Sequence, residues 1–315
     1  MRVTLSLLVL AGVAFAEKPP DYTAEAGPRK VVVAKKFTVP DKTRESKLSC
    51  KATFPEGTDK LAVIVFSHGL YGSKSTYAPL AEFYASHGYA VIQVSHPDSL
   101  EFGFKNQQRA IAEAWRERPR QLSLLISSFE AIGKAVPALE GRLDIKRVGV
   151  GGHSFGAHTS QAIGGLDIAR GQFSARDKRV KAVVCISPQG AKAGMPKSAW
   201  KAFKTPAMFL TGSKDESPIQ KGKSGMWRRG AYDNSPAGGK YLIWIDGVDH
   251  TFGGITGVRR RRAGKPNADH VRIVKKTTLA FLDAYVRDNK KAKAYLASTG
   301  PVHAGKKTRV TYERK

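Results

Sequence analysis

Six short apolar runs set the limits on what this chain can fold into. They are "LAVIVFS" at 61–67, "YAVIQVS" at 89–95, "RVGVG" at 147–151, "VKAVVCIS" at 180–187, "AMFLTG" at 207–212 and "YLIWID" at 241–246. An unbroken apolar run of this length is expected of a strand buried on both faces. Helix-length segments separate most of them. Around 77–87, Leu80, Phe83 and Tyr84 fall at helical spacing and Gly88 can end the helix. Residues 105–118 and 119–133 read as two helices, with Pro119 opening the second. A last helix is expected at 268–289, where Val274, Thr278, Phe281, Leu282 and Tyr285 share one face. Two further strands are expected at 31–39 and 47–54. Strand alternating with helix predicts an α/β fold with a mostly parallel sheet and right-handed crossovers.

With 315 residues and 41% hydrophobic content, the chain can bury the core of one large domain. Its first 16 residues, MRVTLSLLVLAGVAFA, carry an early cation, an apolar stretch and small residues at Ala14 and Ala16. That is the layout of a signal peptide cut after Ala16, which predicts a secreted or periplasmic protein. A polar, Pro-rich lead-in follows to about residue 44. The main domain is expected at 45–297, and a loose basic tail at 298–315. No stretch reads as a transmembrane helix. Cys50 and Cys185 each lie in an apolar run, so a disulfide and two free thiols both remain open.

Net charge is +27, from 53 Lys and Arg against 26 Asp and Glu. Such a field favours general adhesion to anionic surfaces. The one tight basic run, Arg259 to Arg262, has no interleaved aromatic residues and matches no nucleic-acid motif. It reads as a solvated loop, and no specific nucleic-acid partner is expected. No metal-binding spacing is present, and no cofactor is expected.

The chemistry centres on "GVGGHSFGAH", 149–158. Here G-x-S-x-G sits between a strand and a helix, the setting of a nucleophile elbow. Gly152 and Gly156 supply the small residues that a tight turn needs. A serine hydroxyl needs a base, and the base an orienting acid. On this architecture the order is Ser, then Asp or Glu, then His. "FLTGSKDES" places Asp215 after one strand, and "WIDGVDHTFGG" places His250 after the next. Glu216 is the alternative acid, while Asp246 and Asp249 are weaker rivals. His68 reads as structural. His153 fills an x position of the elbow, and His158 lies a turn into the helix. At His87, His96, His270 and His303, surface or capping roles suffice. Oxyanion donors are expected from the backbone N–H of Phe155 and of Leu70, in "SHGLYGS". Tyr71 and Phe155 are expected to line the pocket. Met226 and Trp227 read as helix core.

Taken together, "FSHGLYGSKSTYAPLAEFYASHGYAVIQVSHPDS" and "VGVGGHSFGAH" resemble the α/β-hydrolase superfamily. Within it, the chain is similar to the platelet-activating-factor acetylhydrolase-like and bacterial polyester-hydrolase (cutinase-like) branch. The likeness covers about 45–297. Dienelactone hydrolases share the fold but usually use a Cys nucleophile. The resemblance implies about eight strands, no large lid domain, and carboxylic-ester hydrolysis through an acyl-enzyme. It assigns Ser154 as nucleophile, His250 as base, and Leu70 and Phe155 as oxyanion donors. The acetylhydrolases carry their acid where this chain reads "CISPQGAKAG", which holds no carboxylate; Asp215, one strand later, agrees with the polyester hydrolases. Those usually carry a Trp close to the segment matching 188–190, and none stands there. Short-acyl or polyester-like esters are the expected substrates. Peptide or amide cleavage on the same fold, and a non-catalytic exported binding protein, are the alternatives.

Overall fold

The computed structural model describes residues 21–103, 107–258 and 265–315. The signal-peptide reading and the basic run at 259–262 lie outside the described residues. Nine strands form one sheet: β1 (Val31–Asp41), β2 (Ser46–Pro55), β3 (Leu61–Ser67), β4 (Tyr89–Ser95), β5 (Leu143–His153), β6 (Val180–Ile186), β7 (Ala207–Lys214), β8 (Lys240–Asp249) and β9 (Val310–Arg314). Their order across the sheet is β1-β2-β4-β3-β5-β6-β7-β8-β9. β3 to β8 run parallel, while β1, β2 and β9 are antiparallel to their neighbours. This is the α/β-hydrolase fold.

Alternate side chains of each central strand feed two cores. Val63 and Val65 of β3 enter one, and Ala62, Ile64 and Phe66 the other. The first core is covered by α2 (Gln107–Ser127), α3 (Phe129–Ala135), α4 (Phe155–Gly164) and α5 (Gly225–Asp233). The second is covered by α1 (Ala78–Ser86), α6 (Ala268–Val286) and α7 (Lys290–Ala297). Both cysteines are free and buried, in β2 and β6.

Two sequence expectations need correction. Pro119 does not open a helix; it lies inside the continuous α2. It removes one helical hydrogen bond, but Leu122, Leu125 and Ile126 beyond it are wholly buried, and that packing keeps the helix running. The segment after Leu296 is not a loose tail. It finishes α7 and returns as β9, the ninth strand, against the outer edge of β8, whose backbone groups would otherwise lack partners. Lys240 and Lys315 exchange two backbone hydrogen bonds of 2.9 Å, and Tyr312 stacks on Tyr241 with ring centroids 6.1 Å apart. The lead-in is also anchored, since Tyr22 packs on Tyr295 at 5.2 Å and donates to Asp283.

The strand order places the site. β4 and β5 lie on opposite sides of β3, so the loops leaving β3 and β5 diverge at their C-terminal ends and open a crevice there. Close backbone contact sets its floor. A Cβ on Gly156 would stand 2.0 Å from the Ser67 carbonyl oxygen, and one on Gly152 would stand 2.3 Å from Gly156 backbone atoms. Gly156→Ala is therefore expected to force β3 and α4 apart and to destabilise the protein by about 1–3 kcal/mol, seen as a lower urea midpoint. An unchanged midpoint would show that the approach is slack.

Candidate active site

Between β5 and α4 the chain turns at Ser154, with φ 56° and ψ −117°. A non-glycine residue in this region carries roughly 1–3 kcal/mol of strain and persists only when its surroundings fix it. Here the Ser154 N–H donates to the Ile186 carbonyl at 2.9 Å. Its own carbonyl accepts from the Ala157 and His158 amides at 2.9 and 3.2 Å. The turn holds the hydroxyl at the sheet's C-terminal edge, on the wall of a cavity of about 550 Å³.

His250, on the loop after β8, reaches that hydroxyl with Nε2 at 3.0 Å. Its Nδ1 lies 2.9 Å from Asp215 Oδ1. A carboxylate only accepts, so the proton belongs on Nδ1 and the Nε2 lone pair faces the serine. Asp215 is fully buried just beyond β7. It also accepts from Ser187 Oγ at 2.8 Å and from Thr211 Oγ1 at 2.9 Å. Its counter-ion is Arg228 of α5, 2% exposed, whose Nε lies 3.1 Å from Oδ1. That guanidinium also donates to the Asp215, Ser187 and Pro188 carbonyls at 2.9, 3.2 and 3.1 Å. A buried charge pair is tolerable only when hydrogen bonds take up its remaining protons, and Nε and Nη1 of Arg228 have such acceptors.

The loop after β3 has its own buried cation. Arg118 of α2 is fully buried and pairs with Asp98 through two bonds, Nε to Oδ1 at 2.9 Å and Nη2 to Oδ2 at 2.5 Å. Its Nη1 donates to the His68 carbonyl at 2.6 Å, and the guanidinium lies 4.3 Å above the Phe155 ring. His68 Nε2 accepts from the His96 amide at 3.0 Å, which leaves Nδ1–H for the Gly69 carbonyl at 2.6 Å. Two peptides just before Leu70 are thereby held. Leu70 and Phe155 both line the cavity beside Ser154, and Phe155 opens α4, where amides have no partner within the helix.

One further chain of bonds joins the two sides. The Gly69 amide donates to the Tyr77 hydroxyl at 3.2 Å, Tyr77 lies 2.8 Å from His153 Nδ1, and His153 Nε2 lies 2.9 Å from the His250 carbonyl. With a carbonyl as acceptor, Nε2 carries the proton and Tyr77 donates to Nδ1. His153 thus holds the His250 backbone.

The remaining expected residues divide. Glu216 is exposed and stands away from His250 Nδ1, which Asp215 occupies. Asp246 accepts from Ser213 of the neighbouring strand β7, and Asp249 from Thr251 in a local turn. Tyr71, at φ 64°, is absent from the cavity lining. Met226 is 61% exposed, so it is not helix core; Trp227 is half-buried and donates Nε1–H to the Ala191 carbonyl at 2.6 Å. His96 is not a surface residue. It is wholly buried, with Nδ1 2.7 Å from Gln121 Oε1 and Nε2 2.9 Å from Ser67 Oγ. His270 is likewise buried, at 7% exposure. Sequence reasoning missed Arg118, Arg228, Asp98 and Ser187. A signal existed for both arginines. Each is a cation at i+4 or i−4 from buried apolar residues, Ala114 and Leu122 around Arg118, and Tyr232 after Arg228. Among the described residues, no group of three His, Cys, Asp or Glu could hold a metal ion.

The comparisons with known proteins agree with this architecture. The family model of platelet-activating factor acetylhydrolase, isoform II, matches residues 30–118, from the lead-in to Arg118. Platelet-activating factor acetylhydrolase of Cavia porcellus is 25% identical over 265 residues, covering 72% of this chain. The chain spans 58% of that relative's length. Both similarities support the platelet-activating-factor acetylhydrolase-like branch of the α/β-hydrolases.

Two stability predictions follow from the buried polar groups. Arg118→Met leaves Asp98 buried and uncompensated, and is expected to cost about 3–5 kcal/mol; adding Asp98→Asn should return part of it. A loss well below 1 kcal/mol would mean that the pair is dispensable. Burial, reinforced for His68 by the Arg118 cation, holds His68 down at about 3; burial, with Lys192 and Arg118 nearby, does the same for His158 at about 3. Burial and Arg118 also push His96 well below the usual range. These folded-state values lie below the unfolded one near 6.5. The unfolded chain therefore gains protons first as pH falls from about 6.5 towards 3, and stability drops across that window. The expected slope is up to about 1.4 kcal/mol per pH unit for each histidine that stays neutral. Urea midpoints at pH 7.5, 6 and 5 measure it, and His158→Gln should flatten the slope.

Proposed function

We propose that this α/β-hydrolase is an exported serine hydrolase that cleaves carboxylic esters through Ser154, His250 and Asp215. The observation that carries the reading is the unbroken line from Ser154 Oγ to His250 Nε2 at 3.0 Å and from Nδ1 to Asp215 at 2.9 Å. The similarity to an acetylhydrolase supports the same class.

In the first step Ser154 Oγ attacks the ester carbonyl carbon while its proton passes to His250 Nε2. Asp215 holds the ring and stabilises the imidazolium. The amides of Leu70 and Phe155 receive the oxyanion. Collapse expels the alcohol, which takes the proton from Nε2 and leaves the acyl group on Ser154. A water then enters, loses its proton to His250, attacks the acyl carbon and releases the acid with Ser154 restored. The elbow's strain favours this order of events, because Oγ is aimed before substrate arrives. The cavity's 550 Å³ suits a short acyl group or a segment of a polyester, and Trp115 gives it one aromatic wall. Residues 1–16 are read as the export signal. Among the described residues no helix is long and apolar enough to cross a membrane.

Ser154→Ala is expected to lower kcat/KM on a short p-nitrophenyl ester by at least about 10³-fold and to abolish labelling by a fluorophosphonate probe. Asp215→Asn should cost about 10⁴-fold, while Glu216→Gln should stay near the parent enzyme. Esterase activity that survives Ser154→Ala would refute the reading, and the reverse ranking of the two acid variants would move the acid to Glu216.

A further inference from the structure

The cavity wall has an electrostatic character that ester hydrolysis alone does not require. Among the described residues its ionisable lining consists of Arg116, Arg170, Lys192 and His158, with no carboxylate. Gln172, Gln189 and Gln220 supply its amides. Several arginines elsewhere in the chain are paired: Arg120 with Asp41 and Glu117, Arg179 with Asp177, Arg229 with Glu313. Arg116, Arg170 and Lys192 have no ion pair among the described residues.

Lys192 is the most informative of the three. It sits in a tight turn closed by two backbone bonds with Met195, 3.0 and 2.9 Å long. The turn is pinned from behind, where Trp227 donates to the Ala191 carbonyl and its backbone abuts Gly190. The ammonium is half-buried, and its side-chain hydrogen bond goes to a neutral atom, Gln189 Oε1, at 2.7 Å. Burial pushes it below the usual lysine range. A partly desolvated cation without a counter-ion is unfavourable, and it regains that free energy when an anion arrives. Across from it His158 is 4% exposed and stacked on Phe155, with a buried Nδ1 that has no partner. Held neutral, that imidazole adds no charge to oppose the cations. The start of α4, at the same wall, adds a positive helix end. Apolar surface remains beside them, from Ile111, Trp115, Ile168 and Met195.

We propose that the ester this cavity takes carries a second, free acid group, a carboxylate or another oxyanion, which Lys192 and Arg170 bind while the apolar wall takes the carbon skeleton. The inference rests on the esterase reading and names its substrate class. A general excess of surface charge does not explain a half-buried ammonium without a counter-ion in the cavity that Ser154 lines. On this reading Lys192 and Arg170 are specificity-determining residues, and Ser154 acts on whatever ester bond they bring to it.

The test compares matched esters on the full-length enzyme by pH-stat. Monobutyl adipate is set against butyl hexanoate for an anion on the acid side. 4-(Butyryloxy)benzoate is set against its methyl ester for an anion on the alcohol side. The readout is the ratio of kcat/KM, anionic over neutral. In at least one pair it should be about 10-fold or more at low salt, the range of one charge-assisted hydrogen bond, and should shrink in 0.5 M NaCl. Lys192→Met and Arg170→Met should each lower that ratio, and the double variant should bring it near 1. Lys291→Met, on α7 in the opposite layer, removes the same charge and should leave the ratio at its parent value. Ratios near 1 in both pairs, with neutral esters turned over, would overturn this inference and leave the esterase reading standing. A high ratio unmoved by the two cavity variants would also overturn it. No turnover of any ester would sink the esterase reading, and this inference with it.

Discussion

The site depends on one steric constraint, the contact of α4 with the end of β3 at Gly156. At that position no side-chain atom fits between the helix and the Ser67 carbonyl. The contact draws the loop after β3 against the first turn of α4, and so brings Leu70, Ser154 and Phe155 to one wall. It also forces the turn through a positive φ at Ser154, a conformation that hydrogen bonds from Ser154 to Ile186, and from Ala157 and His158 to Ser154, then hold. The strain is local, while the forces that maintain it come from three strands and a helix.

Around that contact the protein uses two buried arginines as clamps, one for each loop group. Arg118 grips the peptides that precede Leu70 and lies on Phe155, and Arg228 grips the carbonyls around Asp215. Each is matched by one buried carboxylate, Asp98 or Asp215. Burial and the Arg118 cation disfavour protonation of His68 and His96. Neutral rings can donate and accept at once, which lets His68 and His96 link backbone to side chain in a fixed sense. Rigidity and acid sensitivity thus come from one arrangement. The groups that fix the loops are those that would have to charge on acidification.

The cavity differs from these pairs. Among the described residues its cations have no ion pair, whereas the cations outside it on α2 are paired, Arg109 with Glu113 and Arg120 with Glu117. The difference lies in what faces them. Acidic residues of α2 stand on the side towards β1, and the loops that close the cavity bring glutamines and lysine instead.

Much of this could be read without coordinates. The apolar runs marked every central strand, because burial on both faces demands an unbroken run and that demand is local. The spacing of Gly152, Ser154 and Gly156 between a strand and a helix marked the turn for the same reason, and chain order singled out Asp215 and His250. His250 stands at hydrogen-bonding distance from Ser154, and Asp215 from His250. Tertiary structure alone decided which polar residues go inside. Arg118, Asp98 and His96 are wholly buried, and for Asp98 and His96 nothing in the residues beside them separates them from surface groups. It decided that the basic C-terminal segment becomes β9, because only the assembled sheet has an edge on β8 to be covered. It also decided that Leu70 lines the cavity and Tyr71 does not. Local sequence determines the run of the backbone; which charges it buries depends on loops that meet only after the sheet has formed.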